Sequence, residues 1–113
     1  MSQNYCIYQL TSPDGKSYIG RTNNLTPRLI SHKNGRTVIS KALRLIGINN
    51  FKVEVLRDGL TRQEANILEV EYIAKLNTLY PNGYNCNTGG EVGYKVCDAI
   101  REATVIAIAK AKA

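Results

Sequence analysis

The sequence predicts a single domain of the α+β class, in which three short strands are combined with helices. Two strand-forming runs flank a turn and predict a β-hairpin, a third run alternates apolar and polar residues, and later segments carry apolar residues at helical spacing. The 113 residues suffice for one domain with its own core, which at this size requires neither disulfides nor a structural metal.

The hairpin is predicted near the N-terminus. Tyr5–Leu10 and Ser17–Thr22 are rich in strand formers, and Pro13 and Asp14-Gly15 between them are typical of a turn.

The register of the hairpin decides where two tyrosines point. If Leu10 pairs with Lys16 across a five-residue loop, Tyr8 lies directly opposite Tyr18 and both rings point to the same face of the sheet. A slip of one residue would place the rings on different faces.

A short helix is predicted next. Thr26 is the expected N-cap, Pro27 occupies the first helical position, and Asn34-Gly35 ends the helix. Arg28 and His32 are four residues apart and therefore share one face of it.

The next two elements are a second helix and the third strand. Val38–Ile46 is predicted to be helical up to Gly47, with Lys41 and Arg44 pointing outward. Phe51–Val55 alternates cleanly and is predicted to be the third strand, closed by Asp58-Gly59.

A capping box, Thr61-Arg62-Gln63-Glu64, begins a helix that is expected to run to about Asn77. Glu69 falls within its apolar stripe, which consists of Ala65, Tyr72, Ile73 and Leu76. A charged carboxylate on a core-facing stripe is costly without a partner, so Glu69 must be paired, protonated or bound to a cation. Glu64 and Glu71 are predicted to face solvent.

Residues 78–90 form a predicted loop, and the Ala-rich tail from Glu91 is predicted to be a helix that packs on the domain or meets a partner. The expected division is a domain at 1–90 and a helical tail at 91–113. Cys6, Cys86 and Cys97 show no metal-site spacing and are predicted to be reduced thiols. The N-terminus has no signal peptide, which predicts an intracellular protein.

The net charge is the property of the composition that departs most from that of an ordinary globular protein. Fifteen Lys and Arg against nine Asp and Glu give a net charge of +6 at neutral pH. The segment from Lys16 to Arg57 has a net charge of +8, whereas the segment from Asp58 to Glu102 is net acidic. This asymmetry predicts a polyanionic partner or substrate, the alternative being a solvated basic face without a partner.

Several motifs occur in an order that resembles the GIY-YIG nuclease domain. They are Cys6-Ile7-Tyr8, Tyr18-Ile19-Gly20, Arg28 and His32 on one helix, a Glu on a later helix, and Gly83-Tyr84-Asn85. The resemblance covers residues 4 to about 90. In this chain Cys6 stands where the motif has its first glycine, while Tyr8 is retained.

The resemblance implies a small three-stranded antiparallel sheet flanked by helices, with the active site on one face of the sheet. It also implies hydrolysis of DNA phosphodiesters assisted by one divalent metal ion, Mg²⁺ or Mn²⁺. Position by position, it implies that Glu69 binds the metal, that Arg28 contacts the reacting phosphate, and that Tyr8 and Tyr18 are the active-site phenols. Asn85 corresponds to a site-supporting asparagine.

The chemistry is compatible with these residue types. One carboxylate suffices for Mg²⁺, because phosphate oxygens and water complete its shell. The permanently charged, fork-shaped guanidinium of Arg28 suits a phosphate on which negative charge grows.

A water nucleophile also needs a base, and two residues compete for that role. Ionising a phenol of pKa about 10 costs roughly 4 kcal/mol at pH 7, so Tyr8 requires a nearby cation to lower its pKa. His32, at a position that is His or Tyr in relatives, titrates near pH 6.5. The resemblance favours Tyr8 and the intrinsic pKa favours His32, and we rank Tyr8 first.

The sequence therefore predicts a metal-dependent endonuclease that nicks or cuts double-stranded DNA. Five basic residues are predicted to contact phosphates without reading sequence: Arg21, Lys33, Arg36, Lys41 and Arg44. The alternatives are a non-catalytic DNA-binding module with the same fold and a restriction- or repair-type incision nuclease.

The loop at 85–90 is most similar to the homing-endonuclease branch, whose members carry a long DNA-binding region after the nuclease domain. Here 23 residues follow Gly90. Specificity is thus expected to be low, or to come from the tail, a homodimer or a partner chain.

Overall fold

A three-stranded antiparallel sheet between two helical layers forms the domain, and the computed structural model describes residues 4–89 of the chain. The sheet order is β2-β1-β3. In chain order the elements are β1 (Tyr5–Thr11), β2 (Ser17–Thr22), α1 (Leu25–Asn34), α2 (Val38–Ile46), a 3₁₀ turn (Ile48–Asn50), β3 (Lys52–Leu60) and α3 (Arg62–Leu76). The predicted α+β class, with a three-stranded antiparallel sheet and flanking helices, is confirmed.

Each face of the sheet has its own core, because successive side chains of a strand point to opposite faces. One core joins alternate residues of β1 to α2 and consists of Tyr8, Leu10, Ile39, Leu43 and Phe51. The other joins the sheet to α3 and consists of Ile7, Ile19, Leu60, Ala65 and Ile73. The phenols therefore lie on the α1–α2 face, whereas α3 covers the opposite face.

The hairpin register differs from the predicted one by two residues. Leu10 pairs with Tyr18, and Tyr8 pairs with Gly20. The predicted pairing of Tyr8 with Tyr18 was wrong because the turn occupies 12–16, where the backbone of Ser12 bonds to Lys16. A shift of two keeps the faces, so Tyr8 and Tyr18 still lie on the same side of the sheet, as diagonal neighbours.

The helix α1 begins earlier than predicted. Its N-cap is Asn24, whose side chain makes no capping bond, and Thr26 lies inside the first turn. Thr22 instead accepts a hydrogen bond from the backbone N–H of Asn24 at 3.1 Å. Pro27 is the third helical residue, two positions further in than N1, and fits there since the first-turn N–H groups have no partner within the helix. The predicted end at Asn34 is confirmed.

Strand β3 continues past the predicted stop at Asp58-Gly59. The pairing shifts twice between Tyr5 and Tyr8, so that Tyr5 faces Leu60 whereas Tyr8 faces Val55. Gly59 has φ +67, a left-handed conformation that glycine adopts without strain. The glycine thus lies in an irregular, bulged part of the strand rather than in a turn.

The prediction for α3 is confirmed at both ends. Thr61 and Glu64 form both hydrogen bonds of the capping box, and Asn77 ends the helix in a left-handed conformation. Glu64 and Glu71 are exposed, as predicted. Leu76 is not part of the core, since as the last helical residue it is 40% exposed.

The remaining predictions concern cysteines and the tail. Cys6 is a free, half-buried thiol, as predicted, but Cys86 is disulfide-bonded, which contradicts the predicted reduced state. Cys97 and the predicted helix after Glu91 lie outside the described residues. No helix within 4–89 has the length and apolar character to cross a membrane.

Candidate active site

Four predicted site residues meet on the α1–α2 face of the sheet. Tyr8 comes from β1, Tyr18 from β2, and Arg28 and His32 from one face of α1. The ring centroids of Tyr8 and Tyr18 are 6.2 Å apart, and the ring of His32 lies 5.0 Å from Tyr18, edge to face. The predicted four-residue spacing on α1 thus presents both Arg28 and His32 to the phenols.

A buried hydrogen bond joins Tyr8 to His32, with 2.7 Å between Oη and Nε2. Tyr8 is fully buried and His32 is 7% exposed. We assign the Tyr8 hydroxyl as donor and the unprotonated Nε2 as acceptor, since the phenol keeps its proton and the imidazole is neutral. The two competing candidates for the base are therefore one hydrogen-bonded pair.

Burial shifts the pKa of both members of this pair away from neutrality. Burial, and secondarily the neighbouring Tyr18, raises the pKa of Tyr8 well above its ordinary value. Burial and the positive charge of Arg28 lower the pKa of His32 to about 4. At neutral pH the phenol is protonated and the imidazole is neutral, so the pair carries no charge.

Arg28 lies over both phenols and is the solvent-exposed member of the cluster. Its guanidinium lies close enough to the hydroxyls of Tyr8 and Tyr18 to interact with both. This interaction opposes the effect of burial on the pKa of each phenol. An approaching anion would therefore meet Arg28 before it meets the buried tyrosine.

Gly20 determines where the ring of Tyr8 lies. A Cβ atom at Gly20 would come within 2.4 Å of the Cζ and Oη atoms of Tyr8, so no larger residue fits without moving the ring. Cys6, which replaces the first glycine of the motif, lies in β1 opposite Thr22 and does not require glycine's conformational freedom.

Glu69 extends from α3, which covers the other face of the sheet, to Arg21 of β2. Its side chain is 13% exposed, and Oε1 accepts a hydrogen bond from Nε of Arg21 at 3.0 Å. The charge of Glu69 is close enough to contribute to the raised pKa of Tyr18, after burial as the main cause. Of the three states that the sequence allowed, Glu69 adopts the paired one.

A divalent cation fits this donor set. Glu69 supplies a hard carboxylate oxygen, which Mg²⁺ and Mn²⁺ prefer. Residues 4–89 contain no cluster of three or more His, Cys, Asp and Glu side chains. Glu69 would thus be the protein ligand of an ion whose other ligands are phosphate and water, an arrangement that Mg²⁺ tolerates.

Asn85 is buried and pairs with the backbone of β2. Its Oδ1 accepts from the N–H of Ile19 at 2.8 Å and from the hydroxyl of Thr78 at 2.7 Å, and its Nδ2 donates to the Ile19 carbonyl at 2.8 Å. The amide imitates a neighbouring strand along the edge of β2. It therefore fixes the backbone between Tyr18 and Gly20.

The predicted phosphate contacts lie in two places. Arg21 is on the α3 face with Glu69, whereas the other four are exposed on or next to α1 and α2: Lys33, Arg36, Lys41 and Arg44. Arg44 also donates to the carbonyls of Lys33 and Gly35, at 2.9 and 2.6 Å, and so connects the end of α1 to α2.

The chain matches the family model of the GIY-YIG catalytic domain over residues 4–85. It belongs to the GIY-YIG family. No curated protein and no solved structure matches the chain significantly. As a GIY-YIG domain the chain is a nuclease, and DNA is the substrate that this assignment indicates.

Three contributions to the site of this GIY-YIG domain are not evident from its sequence. Gly20 was visible as part of a motif, but its contact with Tyr8 depends on the register. No local signal identifies Thr78 as a partner of Asn85, or Arg21 as the partner of Glu69.

We expect Asn85→Ala to destabilise the fold by about 3 kcal/mol. It leaves the N–H and C=O of Ile19 and the hydroxyl of Thr78 without the amide, and each buried unpaired group costs about 1–3 kcal/mol. Urea unfolding measures the loss. The control Asn82→Ala removes an exposed amide and should change stability by less than about 0.5 kcal/mol. A loss below about 1 kcal/mol for Asn85→Ala would contradict this role.

We expect stability to fall by about 3 kcal/mol through His32 alone as the pH drops from 6.5 to about 4. In this window the unfolded chain protonates its histidine, whereas the buried imidazole stays neutral, so protons favour unfolding. Above pH 6.5 His32 is neutral in both the folded and the unfolded chain, so it no longer changes the free energy of unfolding with pH. Denaturant unfolding of wild type and His32→Gln at several pH values separates the effect of His32 from that of the carboxylates. If the free energy of unfolding changes with pH equally in both proteins, the predicted role of His32 is wrong.

Proposed function

We propose that this GIY-YIG domain is a divalent-metal-dependent endonuclease that hydrolyses phosphodiesters of double-stranded DNA, of the homing-endonuclease-like type. The observation that carries the proposal is the convergence of Tyr8, Tyr18, Arg28 and His32 in one cluster, held by the Tyr8–His32 hydrogen bond and ring contacts, with Glu69 in electrostatic reach of Tyr18. Family membership supports the general activity, and the cluster supports the assignment of roles.

Arg28 is proposed to bind the reacting phosphate. It is exposed, it carries a permanent charge, and its neutral phenol partners leave that charge uncompensated. Planar guanidinium groups bind phosphate through paired hydrogen bonds and stabilise the charge that develops during the reaction. A phosphate bound here would also reduce the positive potential that lowers the pKa of His32, which makes the imidazole a better proton acceptor.

Tyr8 and His32 are proposed to act together as the base. Forming a free phenolate at the buried Tyr8 is unfavourable, and His32 is shielded from solvent by its burial. The 2.7 Å bond allows the nucleophilic water to give its proton to Tyr8 while Tyr8 gives its own proton to Nε2 of His32. This path moves a proton from the water to Nε2 without forming a phenolate, and the positive charge that it creates is carried by the imidazolium of His32.

Glu69 is proposed to hold the Mg²⁺ or Mn²⁺ ion, one per site, and a bound ion would polarise a phosphoryl oxygen and stabilise the leaving group. The surrounding chain contributes by keeping Glu69 half-buried, where its charge interacts strongly with a cation. The pairing with Arg21 orients the carboxylate toward β2.

The exposed cations of α1, α2 and the turn between them are proposed to position the DNA. They lie on the same helical layer as Arg28, so a backbone held there passes beside the cluster. Such contacts are independent of sequence and weaken with salt. One site cleaves one strand at a time, so a double-strand break would require a second copy or a second encounter.

We expect the protein to nick supercoiled plasmid in Mg²⁺ or Mn²⁺ and to lose this activity in EDTA. Glu69→Gln should lower the cleavage rate by about a hundredfold or more, since it removes the metal's protein ligand. The control Glu71→Gln removes an exposed carboxylate of the same helix and should stay within about twofold of wild type.

Two results would contradict the proposal in different ways. A plasmid left intact by the wild type at every metal and salt concentration would favour the non-catalytic DNA-binding module. Equal cutting by wild type and Glu69→Gln would instead remove Glu69 from the metal site and leave the nuclease assignment standing.

Tyr8→Phe and His32→Gln should each slow single-turnover cleavage by about a hundredfold, with DNA affinity in EDTA unchanged. The double variant should be no slower than the slower single one, because either change interrupts the same proton path. If the two losses multiply, the residues act independently and the joint base is wrong.

A further inference from the structure

We infer that Arg21 is the counterion of Glu69 in the DNA-free protein and competes with the divalent cation for this carboxylate. The inference rests on the proposed function, which makes Glu69 the metal ligand. Its basis is the hydrogen bond of 3.0 Å between Nε of Arg21 and Oε1 of Glu69, which links β2 to α3 across 48 residues of sequence.

The environment of this pair makes the competition strong. The side chain of Arg21 is 24% exposed and that of Glu69 is 13% exposed, so solvent screens their charges only in part. A cation that approaches the carboxylate meets the positive charge of the guanidinium at the same oxygen. No cluster of further acidic ligands within residues 4–89 offsets this repulsion. The resting site therefore binds metal weakly.

DNA changes the balance, because a phosphate is an alternative anion for Arg21. Guanidinium groups bind phosphate as readily as carboxylate, and Arg21 is one of the predicted phosphate contacts. When a phosphate takes Arg21, Glu69 is released for the cation. By thermodynamic reciprocity the cation then strengthens DNA binding by the same factor. The pair thus couples assembly of the metal site to the presence of substrate.

The opposite flank of α3 provides matched controls. Arg57 and Glu71 line a surface hollow together with Leu68, Tyr72 and Lys75. Arg57→Gln removes one positive charge beside the same helix, and Glu71→Gln removes one negative charge, without touching the pair of Arg21 and Glu69.

The test measures Mn²⁺ binding to the DNA-free protein by electron paramagnetic resonance. We expect Arg21→Gln to bind Mn²⁺ at least about tenfold more tightly than wild type, and Arg57→Gln to stay within about twofold. The double variant R21Q/E69Q should lose the gained affinity, since Mn²⁺ then has no carboxylate at this site.

The outcomes separate this inference from the proposed function. If Arg21→Gln binds Mn²⁺ no more tightly than wild type while Glu69→Gln abolishes binding, the competition is disproved and the metal assignment stands. If Glu69→Gln binds Mn²⁺ as wild type does, whereas Glu71→Gln does not, both the assignment and the competition fail.

A measurement on the wild type avoids dependence on a variant that fails to fold. The Nε–H proton of Arg21 gives a separate resonance in an NMR spectrum of the DNA-free protein while Glu69 holds it. Titration with Mg²⁺ should move this resonance toward that of a solvated arginine as the carboxylate signal of Glu69 shifts. A shift of the Glu69 signal with an unchanged Arg21 signal would overturn the inference.

Discussion

The close contact between Tyr8 and Gly20 is the constraint on which the cluster depends. Because Gly20 has no Cβ, the ring of Tyr8 lies across the backbone of β2, with its hydroxyl at the place where α1 passes. There it bonds to His32 and interacts with Arg28. A side chain at position 20 would displace the ring and with it the hydroxyl that bonds to His32 of α1.

The strand that carries Gly20 is an edge strand, and edge strands expose unpaired backbone groups. Asn85 supplies the missing partner at Ile19 with a side-chain amide, and the backbone N–H of Tyr84 bonds to Ser17 at 2.8 Å. Within residues 4–89 the edge is thereby held in place without a fourth strand. Tyr18 and Arg21 extend from this strand to opposite faces, so β2 connects the phenol cluster with the carboxylate of α3.

The charged groups of the site have the same electrostatic arrangement on both faces of the sheet. In the DNA-free protein each charged group of the site is engaged by another protein group, Arg28 by the phenols and Glu69 by Arg21. Substrate and metal therefore replace existing contacts instead of entering an empty, strained site. Because these groups are partly buried, solvent screens their charges weakly, which strengthens the contacts within the DNA-free protein. The same weak screening strengthens the contacts with substrate and metal that replace them.

The sequence by itself determined most elements of the GIY-YIG fold, because their signals are local. The capping box at Thr61 and the glycine at 47 act within one turn of helix, and the order of motifs identified the residues that meet in the cluster. Only the tertiary structure decided the hairpin register, the pairing of Glu69 with Arg21 and the attachment of Asn85 to β2. These depend on contacts between residues 48 to 66 positions apart, or on how a turn closes, and such packing leaves no trace in a short sequence window.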